Sequence, residues 1–261
     1  MIRALVVAAI FFTMTPLLIA IQWLLDKLGL PGWGFISCNY YKLLRALLRI
    51  KLHIVGTPVR GRAVLYVSNH VSWADIVVIG SLSPVAFVAK SEVRRWPLVG
   101  VTAAIERTVF VDRSRRAQTA EAIGEIVKRL KSGTSMVLFA EGTSSDGNRV
   151  LPFRSALLGA IEHLGAEVVI QPVSICYTHQ HGIPMGRQHR PLVAWYGDLD
   201  FMPHIKTLIA RGAVDAVVSY AEPIRAVRDG GRKALAKSVE RTVRALTTAA
   251  LYHSLNAAPA G

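Results

Sequence analysis

Residues 4–25, ALVVAAIFFTMTPLLIAIQWLL, hold no charged side chain. A run of that length can cross a hydrocarbon core of about 30 Å as a helix. Whatever else the chain folds into, it must give this segment a bilayer or a large apolar partner. Pro16 stands in the middle and predicts a kink. A cleavable leader would have a shorter apolar core, a basic segment before it and a small-x-small cleavage site. Here only Arg3 precedes the run and no such site stands out, so the segment is expected to remain as a membrane helix. Whether it spans, or dips in and returns at Pro16, the sequence leaves open.

After the break GLPGWG comes FISCNYYKLLRALLRIKL, residues 35–52. Lys42, Arg45 and Arg49 are spaced by three and four, which places them on one helical face, with leucines and Ile50 filling most of the remainder. This is the pattern of a basic helix lying in the membrane interface. A buried amphipathic helix of the main domain is the competing reading. Because positive residues follow the apolar run and hardly precede it, the bulk of the chain is expected in the cytoplasm, on the inner face of the membrane.

The chain is 52% hydrophobic and carries a formal charge of +14. That combination points to a membrane surface before it points to nucleic acid, and no zinc-finger spacing or RNA-binding aromatic signature is present. The basic excess suits anionic lipid headgroups or an acidic protein partner equally. Cys38 and Cys176 lie far apart in apolar contexts, which argues against a disulfide framework and fits a reducing compartment. The histidines of THQHGIPMGRQH (His179, His181, His189) lack a carboxylate or cysteine at metal-site spacing and read as a loop; no metal is expected.

From about residue 52 short apolar runs alternate with helical stretches. LHIVG, AVLYVS, VAFVA, TVFV, SMVLFA, EVVIQPVSI, LVAWYG and AVVSYA read as strands. Residues 73–80, 92–104, 115–131, 154–164 and 231–253 read as helices, the third closed by a basic last turn and Gly133. The alternation predicts an α/β domain on a mixed sheet with helices on both faces. The expected division is a membrane-anchoring helical pair over residues 1–51, a catalytic domain over 52–253 and a flexible tail over 254–261.

Within SNHVSWADIV, residues 68–77, His70 follows an apolar run and Asp75 comes five residues later. Inside one helix that spacing would put the two about 140° apart. With His70 in a strand-to-helix loop and Asp75 in the first turn, the loop can fold back and let them touch. Nδ1–H would then donate to the carboxylate and leave Nε2 as a base. The structural alternative is that Ser72 and Asp75 merely cap a helix and His70 is a loop residue. A second polar turn, FAEGTSSDGNR, follows another apolar strand; ligands bind at such strand ends in α/β sheets. No Gly-x-Ser-x-Gly nucleophile elbow occurs.

Together these segments resemble the lysophosphatidate acyltransferase family of glycerolipid acyltransferases. NHVSWAD (Asn69 to Asp75) resembles its Asn-His-x4-Asp motif. KSEVRRWPLVG and RTVFVDR resemble its second region, FAEGTSS its Phe-Pro-Glu-Gly-Thr-Arg-Ser motif, and IQPVSI its last block. The resemblance implies a mixed-sheet glycerolipid acyltransferase domain on an N-terminal membrane-associated helical pair. It implies an O-acyltransferase using a fatty acyl thioester, on acyl carrier protein or CoA, with no cofactor. It implies His70 and Asp75 as catalytic residues. Asn69, Lys90, Arg107, Arg113, Glu141, Gly142, Thr143, Ser144 and Asp146 are then candidates for the substrate site.

Three positions depart from the family pattern: Ala140 replaces its proline, Ser144 its phosphate-binding arginine and Arg107 a glycine. Losing a bidentate phosphate ligand is not conservative. Either Arg107 or Arg113 substitutes, or the acceptor has no phosphomonoester. The EGTSSDG form resembles the family's bacterial lyso-ornithine lipid branch more than its lysophosphatidate branch, and Asp146 can attract that acceptor's ammonium. Lyso-ornithine lipid is therefore the favoured acceptor, with 1-acyl-sn-glycerol-3-phosphate as the alternative.

Overall fold

The computed structural model describes residues 2–30, 32–96, 99–112, 116–164, 168–225 and 231–256. The chain begins with helices α1 (Ile2–Lys27) and α2 (Trp33–Leu47), then enters the sheet at β1 (Ile50–Val55). Next come β2 (Val64–Ser68), α3 (Ala74–Gly80), β3 (Ala86–Lys90), α4 (Val99–Ile105), β4 (Val109–Val111), α5 (Arg116–Lys131) and β5 (Met136–Phe139). The last part holds β6 (Val169–Gln180), β7 (Ile183–Pro184), α6 (Phe201–Arg211), β8 (Val214–Tyr220), β9 (Ile224–Arg225) and α7 (Gly231–Asn256). The strands run β1-β8-β6-β2-β5-β3-β4 across one mixed sheet. Neighbours are parallel except where β6 meets β8, β7 and β9.

The central strands are buried on both faces, so they read as continuous apolar runs rather than alternating ones. Val64, Tyr66 and Phe139 point to one face, where α1, α2, α3 and α6 pack through Val7, Tyr41, Val78 and Leu208. Leu65, Val67 and Leu138 point to the other, covered by α5 and α7 through Ile126, Val239 and Val243. β2 ends at Ser68 in register with the end of β5 at Phe139, so the loops after both strands leave the same edge of the sheet side by side.

Helix α1 is built inside out. Thr15, Gln22 and Asp26, spaced by seven and four, share one face that turns toward the protein. The Thr15 and Tyr40 hydroxyls bond at 2.5 Å, Gln22 donates to Ile105 O at 3.3 Å, and Asp26 pairs with Arg107 at 3.5 Å. Leu5, Phe12, Leu17, Trp23 and Leu24 are left exposed. With a mean hydropathy of 2.5 over the span Ala4–Lys27, an outward face of this kind fits a membrane-associated helix.

Several sequence expectations are corrected. The basic helix ends at Leu47; Arg49 lies beyond it at φ 55, and the Arg45 guanidinium folds back to donate to Ile50 O at 3.1 Å. Ser37, Cys38, Tyr40 and Tyr41 of α2 are buried against the domain, so the competing reading of a packed amphipathic helix holds for that face. Residues 192–197 form no strand: Arg190–Leu192 is a 3-10 turn, and Trp195 N–H bonds to Val71 O rather than to a ladder. Residues 92–104 divide into a 3-10 turn at Ser91–Arg95 and α4, with the pair between them outside the described residues. Residues 157–163 are 3-10 rather than α-helical. Helix α6 is an element the sequence reading does not include; its buried stripe is His204, Leu208 and Ile209.

Candidate active site

The loop leaving β2 is pinned before its histidine is placed. Asn69, 1% exposed, acts as a strand residue in side-chain form: Nδ2 donates to Ile175 O at 2.8 Å and Oδ1 accepts Ile175 N–H at 2.9 Å. His70 O accepts the N–H of Ser145 at 2.9 Å and its hydroxyl at 3.2 Å, zipping the two strand-end loops together. The imidazole stacks on Phe139, with centroids 4.0 Å apart and planes 16° from parallel. Phe139 in turn stacks on Phe87.

Asp75 lies in the first turn of α3 and is fully buried. Its Oδ2 faces His70 Nδ1 at 2.8 Å and accepts the N–H groups of Val71 at 2.7 Å and Ser72 at 3.0 Å. Its Oδ1 accepts the Tyr177 hydroxyl at 2.8 Å. Four donors converge on one buried carboxylate, which is how such a charge is tolerated away from water. Asp75 thus does the capping that the sequence suggests and also holds the histidine. Ser72 differs from expectation: its hydroxyl makes no cap bond. With Nδ1–H donated to Asp75, the tautomer is set and Nε2 is the atom able to take a proton.

The second loop sits against this pair. Gly142 adopts φ 78, a conformation that favours glycine, and turns the chain directly after Glu141. Glu141 Oε1 accepts Leu151 N–H at 3.0 Å, and burial pushes the carboxyl up to about 8. Below its ordinary pKa the group is protonated in both folded and unfolded chains. Between about 4.5 and about 8 the unfolded chain releases the proton and the folded one keeps it, so stability falls as pH rises through that window. Glu106, which burial pushes to about 7, acts in the same direction. Glu141→Gln is expected to flatten the decline of thermal midpoint between pH 5 and 8; the slope from one proton is at most about 1.4 kcal/mol per pH unit. An unchanged decline would place Glu141 in an ionised state.

Ser144 donates to Trp195 O, and Thr143 is exposed. Asp146 has both oxygens engaged by Asn148, through N–H at 3.0 Å and Nδ2 at 3.1 Å, and stays partly exposed. Lys90 is exposed at the end of β3. Arg107 is not brought to His70. Its guanidinium lies 4.6 Å over Trp33 and pairs with Asp26, which ties it to α1 and α2. Arg113 lies outside the described residues. Sequence reasoning missed Tyr177 and Phe139; Tyr177 shares the inward face of β6 with Ile175, and period-2 alternation was the available signal. A cavity open to solvent lies beside Gly142, lined by Val111, Leu138, Phe139, Ala140 and Arg154 among others. Among the described residues no three metal-ligating side chains converge.

Residues 49–176 match the family model described as Acyltransferase. The chain is 47% identical over 256 residues to a lyso-ornithine lipid O-acyltransferase of Brucella abortus (strain 2308), covering 96% of each chain. A lyso-ornithine lipid O-acyltransferase of Rhizobium meliloti (strain 1021) is 36% identical, over 87% of this chain and 80% of that one. Among solved structures, the 1-acyl-sn-glycerophosphate acyltransferase PlsC from Thermotoga maritima superposes with a TM-score of 0.67. It covers 95% of this chain and 93% of its own at 21% identity, which speaks to the fold alone.

Proposed function

The chain belongs to the acyltransferase family and is a lysolipid acyltransferase, and from that premise we propose that it esterifies the free hydroxyl of lyso-ornithine lipid to give ornithine lipid. The observation that carries the chemistry is the 2.8 Å contact between His70 Nδ1 and the buried Asp75. A thioester surrenders its thiolate readily, and the hydroxyl is the poor partner. Nε2 of His70 removes the hydroxyl proton as the oxygen attacks the thioester carbonyl. The tetrahedral intermediate collapses, the C–S bond breaks, and the imidazolium returns its proton to the leaving thiolate. Asp75 orients the ring and stabilises the imidazolium, the role a carboxylate has in hydrolytic triads. The reaction needs no redox group or Lewis acid. The donor is an acyl carrier protein or CoA thioester; both are anionic partners that the basic balance of the chain suits. The catalytic domain works on the cytoplasmic face of a bacterial inner membrane, held there by α1.

The names of the Brucella and Rhizobium relatives support the acceptor, and so does Ser144. Its hydroxyl is spent on Trp195 O and offers no fixed cation. A dianionic phosphomonoester forgoes a charge-assisted contact worth about 1.5–3 kcal/mol, or roughly 10- to 150-fold in affinity. The zwitterionic ornithine head forgoes less. Lyso-ornithine lipid is expected to show the higher kcat/KM when both acceptors are assayed in mixed micelles. Ser144→Arg should move the ratio toward lysophosphatidate by about tenfold or more. A wild-type preference for lysophosphatidate overturns the acceptor assignment and leaves the acyl-transfer chemistry standing.

A further inference from the structure

Helix α7 carries Lys233, Lys237, Arg241 and Arg244, spaced by four, four and three, all exposed and within one arc of its circumference. Its one carboxylate is Glu240. Both Glu240 oxygens are occupied, Oε2 by Phe153 N–H at 2.9 Å and Oε1 by Arg244 at 2.8 Å. Lys237 also feels the Glu240 charge, but one carboxylate against four cations leaves the row with a net positive charge. The Phe153 contact also fixes where the row faces. The next residue, Arg154, is exposed and lines the cavity beside Gly142, and Arg149 is exposed on the same loop.

An anionic membrane is the poorer fit for this patch. The apolar α1 packs on one face of the sheet, through Val7, and α7 packs on the opposite face, through Ala236, Val239 and Val243. The row therefore stands on the face away from the helix that meets lipid, and through Phe153 it meets the loop whose Ser145 bonds to His70 O. We propose that Lys233, Lys237 and Arg241, with Arg149 and Arg154, dock an acidic acyl carrier protein and present its thioester arm at the cavity beside Gly142. This rests on the acyl-thioester reading above. Attraction between an acidic partner and a basic row raises the association rate and fades with salt.

The test compares full-length enzyme with Lys233→Glu/Lys237→Glu/Arg241→Glu and with the milder Lys237→Gln/Arg241→Gln. Arg244 is left in place because it holds Glu240. The readouts are kcat/KM with acyl carrier protein and CoA thioesters in mixed micelles, direct binding of holo-carrier protein, sedimentation with anionic vesicles, and thermal midpoint. Charge reversal should lower kcat/KM with acyl carrier protein about tenfold or more and flatten its salt dependence. The CoA reaction should change by less than about twofold, and the neutralised pair should fall between reversal and wild type. Undiminished carrier-protein binding in the reversed variant overturns the proposal, whichever donor the wild type accepts. An equal fall with CoA overturns it in favour of a nucleotide-phosphate site. Loss of sedimentation with anionic vesicles, with carrier binding intact, overturns it in favour of a membrane contact. Failure of the underlying reading looks different: the wild type transfers from neither thioester, while binding of the carrier protein stays measurable.

Discussion

His70→Ala is expected to lower kcat by about 10² to 10⁴, with acceptor KM and vesicle binding close to wild type. The ring is held on two sides, by Asp75 at Nδ1 and by the face of Phe139. That arrangement leaves Nε2 as the atom presented for chemistry. Alanine removes the base and leaves intact the backbone that does the local structural work: His70 O still accepts both bonds from Ser145. The substitution should therefore separate catalysis from folding. Steady-state transfer in mixed micelles, with vesicle flotation alongside, reads both. Turnover at the wild-type rate would falsify the assignment of His70 as base.

Asp75→Asn should cost on the order of 10² or more in kcat with the fold preserved. The amide oxygen can take the place of Oδ2 and keep the N–H groups of Val71 and Ser72, and the amide nitrogen can donate to the Tyr177 oxygen in place of Oδ1. What disappears is the negative charge beside the imidazolium. Tyr177→Phe is the complementary change: it keeps the charge and removes one donor from a buried carboxylate, an imbalance costing about 1–3 kcal/mol of stability. If Asp75 acts through its charge, the asparagine variant loses turnover and the phenylalanine variant mainly loses thermal stability. The reverse ranking would make Asp75 a structural cap with no share in the chemistry.

The division between what was legible and what was not follows the range of the interactions. Strands such as AVLYVS and SMVLFA were readable because β-branched and apolar runs are local patterns, and α5 because its period and basic, glycine-closed end are local too. LVAWYG looks like a strand by the same rule. It fails because Trp195 N–H is taken by Val71 O and its ring is taken up by Trp96 and Phe201, partners that no window of residues 192–197 contains. The candidate substrate residues divide in the same way. Asn69, Glu141, Gly142 and Ser144 fall on the two adjoining loops, whereas Arg107 is drawn off to Asp26 and Trp33 on the N-terminal helices.

By itself the sequence determined an α/β domain with an apolar N-terminal helix, since strand–helix alternation and hydropathy are properties of contiguous residues, and the resemblance of its motifs to a known family implied acyl transfer. It also put His70 and Asp75 within reach of each other, five positions apart across a strand-to-helix turn. Only the tertiary structure decided that α1 turns its polar stripe inward and that Arg107 serves the helical pair. The completion of the histidine–carboxylate pair by Tyr177, 102 positions from Asp75, belongs there too, as does the pinning of Asn69 to Ile175, 106 positions away. Contacts across such distances arise because parallel strands far apart in the chain lie side by side in one sheet, and their register, not any local pattern, sets which side chains meet.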